Sequence, residues 1–379
     1  MDVAFLTDAP RVAGSEVWLL EVLPRLVGRG IRPVVFLPER AALADLAHRF
    51  GEGGVAVERY TSPTELPGRT RPHALRVLQA WDPATYRRVL PHLASPRLVV
   101  THDQLDYHYP APLRALYREV YRWTKAHPMR AADRLVTVSR WGGDFLRGPM
   151  GLGEVGVVQN GVDVDRFRPA DAAERAELRA RYGFRRFTVL VPGRFAPEKN
   201  QLAALGAARH APGLDFVFVG DMDSGVGTAA RALHKLWRLP NVRFLARRWD
   251  MPELYRASDA LLQPTLAENQ SLVTLEAMAS GLPVVSTPIP AQRELLADGV
   301  SGLLVPPQGR LLAAALRALA AHPERAREFG LAARAHVLGH HTLDHTAGRV
   351  AEVLQEAAGQ VSVSLGQPGG PGPQPLKLG

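Results

Sequence analysis

The 379 residues include no cysteine, which excludes disulfides, thiolate-bound zinc or iron–sulfur clusters, and a cysteine nucleophile. A chain of this kind has no need of an oxidising compartment, so the cytoplasm is its expected location. Long apolar runs are missing too. No uncharged stretch approaches the ~18 residues that span a bilayer, so any membrane contact is expected to be peripheral, on the inner face. The amino terminus, Met1-Asp2-Val3-Ala4-Phe5-Leu6-Thr7-Asp8, has neither the basic residues nor the apolar length of a signal peptide. Charge of one sign is nowhere concentrated. The formal net charge of +9 is spread as 23 Lys and Arg against 18 Asp and Glu in residues 1–168, and 23 against 19 in the remainder. That excludes a nucleic-acid-binding arm, while a diffuse positive field still steers anionic substrates and acidic lipid surfaces.

What is present is ordinary for a soluble globular protein: 46% hydrophobic and 22% charged residues. The chain exceeds the length at which one core usually stops growing, which predicts two globular halves. Val3–Leu6 reads as a buried strand, and Val17, Leu20, Leu23, Leu26 and Val27 then recur at helical spacing from a start near Ser15. Arg29-Gly30 closes that helix and residues 33–37 form a second strand, completing a βαβ unit. Strands at 97–101, 134–138 and 155–158 alternate with helical patterns at 111–125 and 140–147. The alternation restarts at 187–191 and continues with strands at 215–219, 242–245, 260–263 and 283–286. The expected fold class is therefore α/β, with two doubly wound domains of mainly parallel sheet facing each other across a cleft. The expected divisions are 1–168, 169–340, a helical segment at 341–360 packing back on the first domain, and a Pro- and Gly-rich tail at 361–379 that reads as disordered. The patterns at 310–321 and 324–358 read as long alanine-rich helices, and the turn-rich segment 160–169 reads as the linker.

In the segment from Glu268 to Val285 two glutamates lie eight residues apart. A helix starting near Ser271 and ending at Gly281 leaves Glu268 in the preceding loop and sets Glu276 inside an almost wholly apolar helix. A carboxylate there must reach solvent or accept hydrogen bonds from a polyhydroxylated ligand, because burying it unpaired costs several kcal/mol. The amides near Ser271, Leu272 and Val273 are helix amino-terminal donors, so they form an anion site.

This segment resembles the E-x7-E signature of retaining GT-B glycosyltransferases of the family 4 type, and the other landmarks fall in that family's order. Gly14-Ser15-Glu16 is similar to its first glycine-rich loop, Asn160-Gly161-Val162-Asp163 with Phe167 and Pro169 to its interdomain segment, and Gly193-Arg194 with Glu198-Lys199 to its phosphate-binding loop. Asp298-Gly299, Gly302–Val305 and Pro307 resemble the family's pattern downstream of the second glutamate, so the likeness runs from about residue 3 to residue 345. It implies two Rossmann-like domains, a nucleotide-sugar donor that is UDP- or GDP-linked, and no cofactor and no metal. Arg194 and Lys199 would neutralise the β-phosphate of the leaving group, Glu268 would lie near the donor sugar, Glu276 would hold the ribose, and His102, after the strand at 97–101, would face the sugar. Catalytic roles thus go to Glu268, His102, Arg194 and Lys199. Substrate binding is expected from Gly14, Ser15, Glu16, Asn160, Arg194, Lys199, Arg247, Glu268, Asn269, Gln270, Ser271, Leu272, Val273 and Glu276. The acceptor class implied is a glycan, a lipid-linked saccharide or a small glycoside, with no nucleic acid. Ala13, where a second glycine is frequent, and Asn269-Gln270-Ser271-Leu272, where a glycine-rich stretch often comes after the first glutamate, depart from the pattern and are expected to alter which sugar hydroxyls are read more than whether a nucleotide sugar binds.

Other readings weigh less. A catalytically silent nucleotide-sugar-binding protein on the same fold is opposed by the joint presence of Glu268, Glu276, Arg194 and Lys199. A nicotinamide-dependent oxidoreductase is opposed by the lack of G-x-G-x-x-G after a strand. Asp163-Val164-Asp165, Asp221-Met222-Asp223 and the histidines at 336, 340, 341 and 345 are discounted as metal sites. Residues 107–123 interleave Tyr107, Tyr109, Tyr117, Tyr121 and Trp123 with Arg114, Arg118 and Arg122. That stripe suits anionic lipid or an anionic acceptor, and equally an exposed basic face over a buried aromatic one.

Overall fold

The computed structural model describes residues 1–103 and 111–359. Tyr107, Tyr109 and the segment 361–379 lie outside them. Seven strands form the first sheet: β1 (Asp2–Thr7), β2 (Arg32–Pro38), β3 (Ala56–Tyr60), β4 (Leu75–Gln79), β5 (Arg97–Thr101), β6 (Arg134–Thr137) and β7 (Val155–Val157), in the order β3-β2-β1-β4-β5-β6-β7. Six form the second: β8 (Thr188–Pro192), β9 (Asp215–Val219), β10 (Val242–Leu245), β11 (Ala260–Gln263), β12 (Val284–Ser286) and β13 (Gly302–Leu304), in the order β10-β9-β8-β11-β12-β13. Every pairing is parallel. The fold is GT-B: two Rossmann-like sheets, as the alternation of elements predicts.

Parallel strands are buried on both faces, which explains their near-continuous apolar runs. In β1, Val3 and Phe5 enter the core on one face while Ala4 and Leu6 enter the core on the other. In β8, Val189 and Val191 divide from Leu190 in the same way. Strand order reverses between β1 and β4 in the first sheet and between β8 and β11 in the second. Crevices open at the carboxyl ends of strands beside such reversals, so topology alone selects the loops after β1, β4, β8 and β11 for ligand binding.

Three strands escaped sequence reading. β4 carries Arg76, a poor strand signal, yet that arginine is buried because its guanidinium donates to the carbonyls of Thr70 at 3.0 Å and Arg71 at 2.6 Å. β3 is an edge strand carrying Glu58 and Arg59, and β13 is only three residues long.

The expected helix at 324–358 is two helices, Pro323–His340 and Leu343–Ala357. The break is specified by Thr342, whose hydroxyl caps the second helix by accepting from the His345 amide, and by Val162, whose amide and carbonyl bond the backbone of His341 and Leu343. Gly161 makes this crossing feasible, since a Cβ there would lie 2.1 Å from the Thr342 carbonyl oxygen. The helix Leu343–Ala357 lies against the helix Gly14–Val27, with Ala347, Val350, Ala351 and Leu354 in the first half's core.

The segment after β5 also differs from expectation. The helix Ala111–Tyr121 continues as a π turn, Arg122–Ala126, and its outer face is apolar rather than basic. Leu113, Leu116, Val120 and Trp123 are 54%, 61%, 50% and 66% exposed, whereas Arg114, Arg118 and Arg122 are half-buried. Spacing of four keeps the arginines on a flank rotated away from the leucines. There Arg118 lies 5.7 Å from the Phe145 ring and Arg122 donates to the Pro149 carbonyl at 2.7 Å. Among the described residues no helix is long and apolar enough to cross a membrane.

Candidate active site

The carboxyl ends of the two sheets enclose a cleft of about 540 Å³, lined by both halves of the chain. Its second-half wall begins in the loop after β8. Gly193 and Gly220 sit at φ +133° and +155°, and a Cβ on Gly220 would lie 2.2 Å from the Gly193 carbonyl oxygen, so only glycines let these loops pass so closely. Arg194 points back to the Glu198 carboxylate. Lys199 reaches Glu268 from the loop after β11, Nζ to Oε1 at 2.5 Å, and the Gln263 amide donates to the same oxygen at 3.2 Å. Each cation thus carries a carboxylate of its own chain rather than standing alone. An ammonium has three donors and a guanidinium five, so both keep hydrogens for an anion while the carboxylates fix where those hydrogens point.

Beyond this pair, the Ser271 hydroxyl caps the helix Leu272–Ala279 by accepting from the Thr274 amide. The first amides of the helix, at Leu272 and Val273, border the cleft with no intrahelical acceptor available to them. One turn further in, half-buried Glu276 accepts from the Tyr255 hydroxyl at 2.7 Å. Burial pushes its carboxyl up to about 7, against the opposing pull of the Tyr255 hydrogen bond and the Arg166 charge. Exposed Arg247 borders the same region, 5.5 Å from the Trp249 ring.

His102, at the end of β5, forms the first-half wall and meets Trp18 edge-on at 5.0 Å. Burial pulls its imidazole down to about 4 although Asp103 pulls the other way, so the ring is neutral at physiological pH. Asp103 in turn accepts from the Tyr121 hydroxyl at 3.0 Å and pairs with Lys125 at 2.5 Å, and all three line the cleft. Gly14 and Ser15 line it as expected, but Glu16 does not. Glu16 is fully buried and accepts from the Thr7 and Ser15 hydroxyls, the Ala13 amide and the Trp81 indole, tying down the helix start and the loop before it. Four donors converge on one carboxylate, which leaves nothing to offer a substrate.

Asn269 borders the cleft and is also tied across it. Its side-chain oxygen accepts from Ser139 at 2.5 Å and its amide reaches Thr137 at 3.0 Å, so it stitches the second half to the first while bordering the cleft. Gln270 and Asn160 meet across the same seam, the Asn160 amide donating to Gln270 Oε1 at 2.5 Å. Ser139, Trp141 and Glu294 complete it: Trp141 donates to the Asn269 carbonyl at 3.2 Å, and Glu294 accepts from the amides of Arg140 and Trp141 and from Gln159. Sequence reading singled out none of these three, nor Gln79, Tyr255, Asp103 or Lys125, because their partners lie far along the chain and no local pattern marks them.

Among the described residues, four buried polar atoms in this cleft find no partner: Gln79 Oε1, His102 Nε2, Asn160 Oδ1 and Gln270 Nε2. Buried polar groups are nearly always hydrogen-bonded, so several orphans around one cavity mark a place where a ligand supplies donors and acceptors. Of the discounted metal readings, Asp221 lines the cleft, whereas the 163–165 triplet and the histidines lie outside it. Asp163 pairs with Arg25 at 2.7 Å, and the rings of His336, His340 and His341 pack on one another. Among the described residues no group of three or more His, Cys, Asp or Glu could hold a metal ion.

The family model for Glycosyltransferase Family 4 matches residues 12–166, and that for Glycosyl transferases group 1 matches residues 186–322. The chain is 30% identical to the GDP-mannose-dependent alpha-mannosyltransferase of Mycobacterium tuberculosis over 364 residues, 87% of this chain and 89% of that protein. It is 29% identical to the alpha-maltose-1-phosphate synthase of Mycolicibacterium smegmatis over 300 residues, 72% of this chain and 77% of that one. The crystal structure of Anabaena HepE in complex with UDP and glucose superposes with a TM-score of 0.80 at 19% identity, covering 94% of this chain and all of the other.

Proposed function

From the premise that this chain belongs to the group 1, family 4 type glycosyltransferases, we propose that it moves a sugar from a nucleoside diphosphate donor to an acceptor hydroxyl, with retention and without a metal. That it is a glycosyltransferase using a nucleotide sugar follows from the family. The metal-free retaining course is the reading that its residues support best. The observation that carries it is the convergence, in one cleft, of two cations, a helix amino terminus, the Glu276 carboxyl raised by burial, and the four orphaned polar atoms. A nucleotide sugar answers all of these but Gln79: a diphosphate for Arg194, Lys199 and the amides of Leu272 and Val273, vicinal ribose hydroxyls for Glu276, and sugar hydroxyls for His102, Gln270 and Asn160.

In this reaction the bond between the sugar's anomeric carbon and the β-phosphate oxygen breaks, and its electron pair leaves with the phosphate. Lys199 and Arg194 meet the charge that develops there, a role in which positioned cations contribute most in a site shielded from water. Glu268 acts by orienting Lys199 through their 2.5 Å contact. The acceptor oxygen bonds the anomeric carbon on the face the phosphate vacates and hands its proton to the departing phosphate oxygen. Neutral His102 hydrogen-bonds a sugar hydroxyl without adding charge beside an oxocarbenium-like centre.

The test is donor turnover by purified protein with UDP-glucose and GDP-mannose, with and without EDTA, and with the anomer formed read by NMR. The expected result is transfer or slow donor hydrolysis unaffected by EDTA, with the donor's anomeric configuration kept. Activity abolished by EDTA and restored by Mn²⁺, or an inverted product, would refute the proposal.

A further inference from the structure

Exposed large apolar side chains are unevenly spread over this molecule. Of the ten among the described residues, four lie on the segment formed by the helix Ala111–Tyr121 and the turn Arg122–Ala126, and no other element carries more than two. Leu113, Leu116, Val120 and Trp123 succeed one another at spacings of three, four and three, which stacks them in a single stripe ~15 Å long on one side of the helix. The other side of the same segment is the wall of the cleft, through Tyr117, Tyr121 and Lys125. One short helix thus faces the reacting groups with one side and water with an apolar other side.

Exposed cations lie near this segment in the fold: Arg130 follows it in the chain, and Arg87 and Arg88 end the helix Pro83–Arg88, which packs against the turn carrying Trp123. The one acid within the segment, Glu119, is already paired with Arg122. We propose that this face docks on the surface of an anionic lipid bilayer, the four apolar side chains entering the head-group layer and the arginines meeting lipid phosphates.

A bilayer fits better than a second protein. The stripe offers four exposed apolar side chains, far short of the roughly 20–30 residues a side that a stable protein interface uses. A helix lying in the head-group region needs only such a narrow stripe, since it sinks ~5–10 Å and gains from basic residues at its edge. Tryptophan is the side chain best suited to that layer, with a large apolar body and one polar tip. Docking in this orientation would bring the bilayer surface to the rim of the cleft where Tyr121 and Lys125 stand, so the acceptor would be lipid-borne. Only that last consequence rests on the transfer reading; the docking does not.

The experiment is co-sedimentation of the full chain with vesicles of phosphatidylcholine and phosphatidylglycerol in about 2:1 proportion, against phosphatidylcholine alone. The wild type is expected to partition at least about tenfold more strongly onto the anionic vesicles, and less so as salt rises. Leu116→Ser with Trp123→Ser should lower that partitioning at least about tenfold, and Arg87→Glu with Arg88→Glu should lower it and weaken its salt dependence. Both variants should keep the wild type's thermal shift with UDP-glucose or GDP-mannose, which shows that the fold and the donor site are intact. A wild type that gives the donor shift but ignores anionic vesicles overturns the docking, as does a Leu116→Ser, Trp123→Ser variant that binds them undiminished. A wild type that is dimeric where this variant is monomeric also overturns it, in favour of a second copy. Vesicle binding in the absence of any donor shift would instead count against the donor reading.

Discussion

Burial holds Glu276 about half protonated at neutrality, and donor binding should expel that proton. Burial pushes this carboxyl up to about 7, with the Tyr255 hydroxyl and the Arg166 charge opposing. Ribose hydroxyls are donors and favour the ionised form, so binding lowers the pKa and releases a proton. The cost of first removing that proton is about 1.4 kcal/mol at pH 6 and roughly 0.1 at pH 8, which makes donor affinity fall about tenfold from pH 8 to pH 6. The stability linkage has the opposite sign in the empty protein. A carboxyl raised in the fold is protonated there and ionised in the unfolded chain between pH 4.5 and 7, so its contribution to stability declines as pH rises through that window. Calorimetric titration with UDP-glucose or GDP-mannose at pH 6, 7 and 8 reads the affinity slope. Two buffers of different ionisation enthalpy at pH 7 should reveal release of about half a proton. His102, pulled down to about 4, does not titrate in this range, and the sugar-linked diphosphate stays fully ionised. Glu16 is also pushed up to about 7 by burial, but it lies outside the cleft, so Glu276→Gln alone should flatten the profile and abolish proton release. A wild type whose affinity is level from pH 6 to 8, or a Glu276→Gln variant that keeps the slope, would refute the reasoning.

Lys199→Ala should lower turnover at saturating donor by roughly 10²–10³, because it removes a cation from the leaving phosphate and strands the buried Glu268 carboxylate; initial rates within threefold of wild type would contradict this. Glu16→Ala leaves the Thr7, Ala13 and Ser15 donors without this acceptor and the Trp81 indole with the Ser15 hydroxyl alone, and should destabilise the first half by roughly 2–4 kcal/mol in urea titration with little change in turnover per folded molecule. Glu294→Ala unties three donors of the first half from the second, and should raise the donor KM about tenfold while far-UV circular dichroism stays unchanged; an unaltered KM would mean that the seam does not shape the cleft.

Local chemistry is what the sequence by itself determined. Parallel strands buried on both faces need continuous apolar runs, so β1, β5, β8, β9 and β11 were legible, and their alternation with helices set the architecture. A serine ahead of an apolar helix with Gly281 behind it located both ends of Leu272–Ala279, and therefore the anion-binding amides and the placement of Glu276. Each of these depends on neighbours within a turn or two of the chain. Tertiary structure alone decided what each polar group is committed to. Glu16 and Glu276 are both acids on helices, yet among the described residues four donors occupy one and Tyr255 alone donates to the other. Asn269 contacts Ser139 across 130 residues, and the arginines of 111–126 lean inward because Phe145 and Pro149 happen to stand beside them. Hydrogen bonds saturate and rings offer few faces, so whether a side chain remains available to a ligand or to a membrane is settled only when every distant competitor for it has been brought into place.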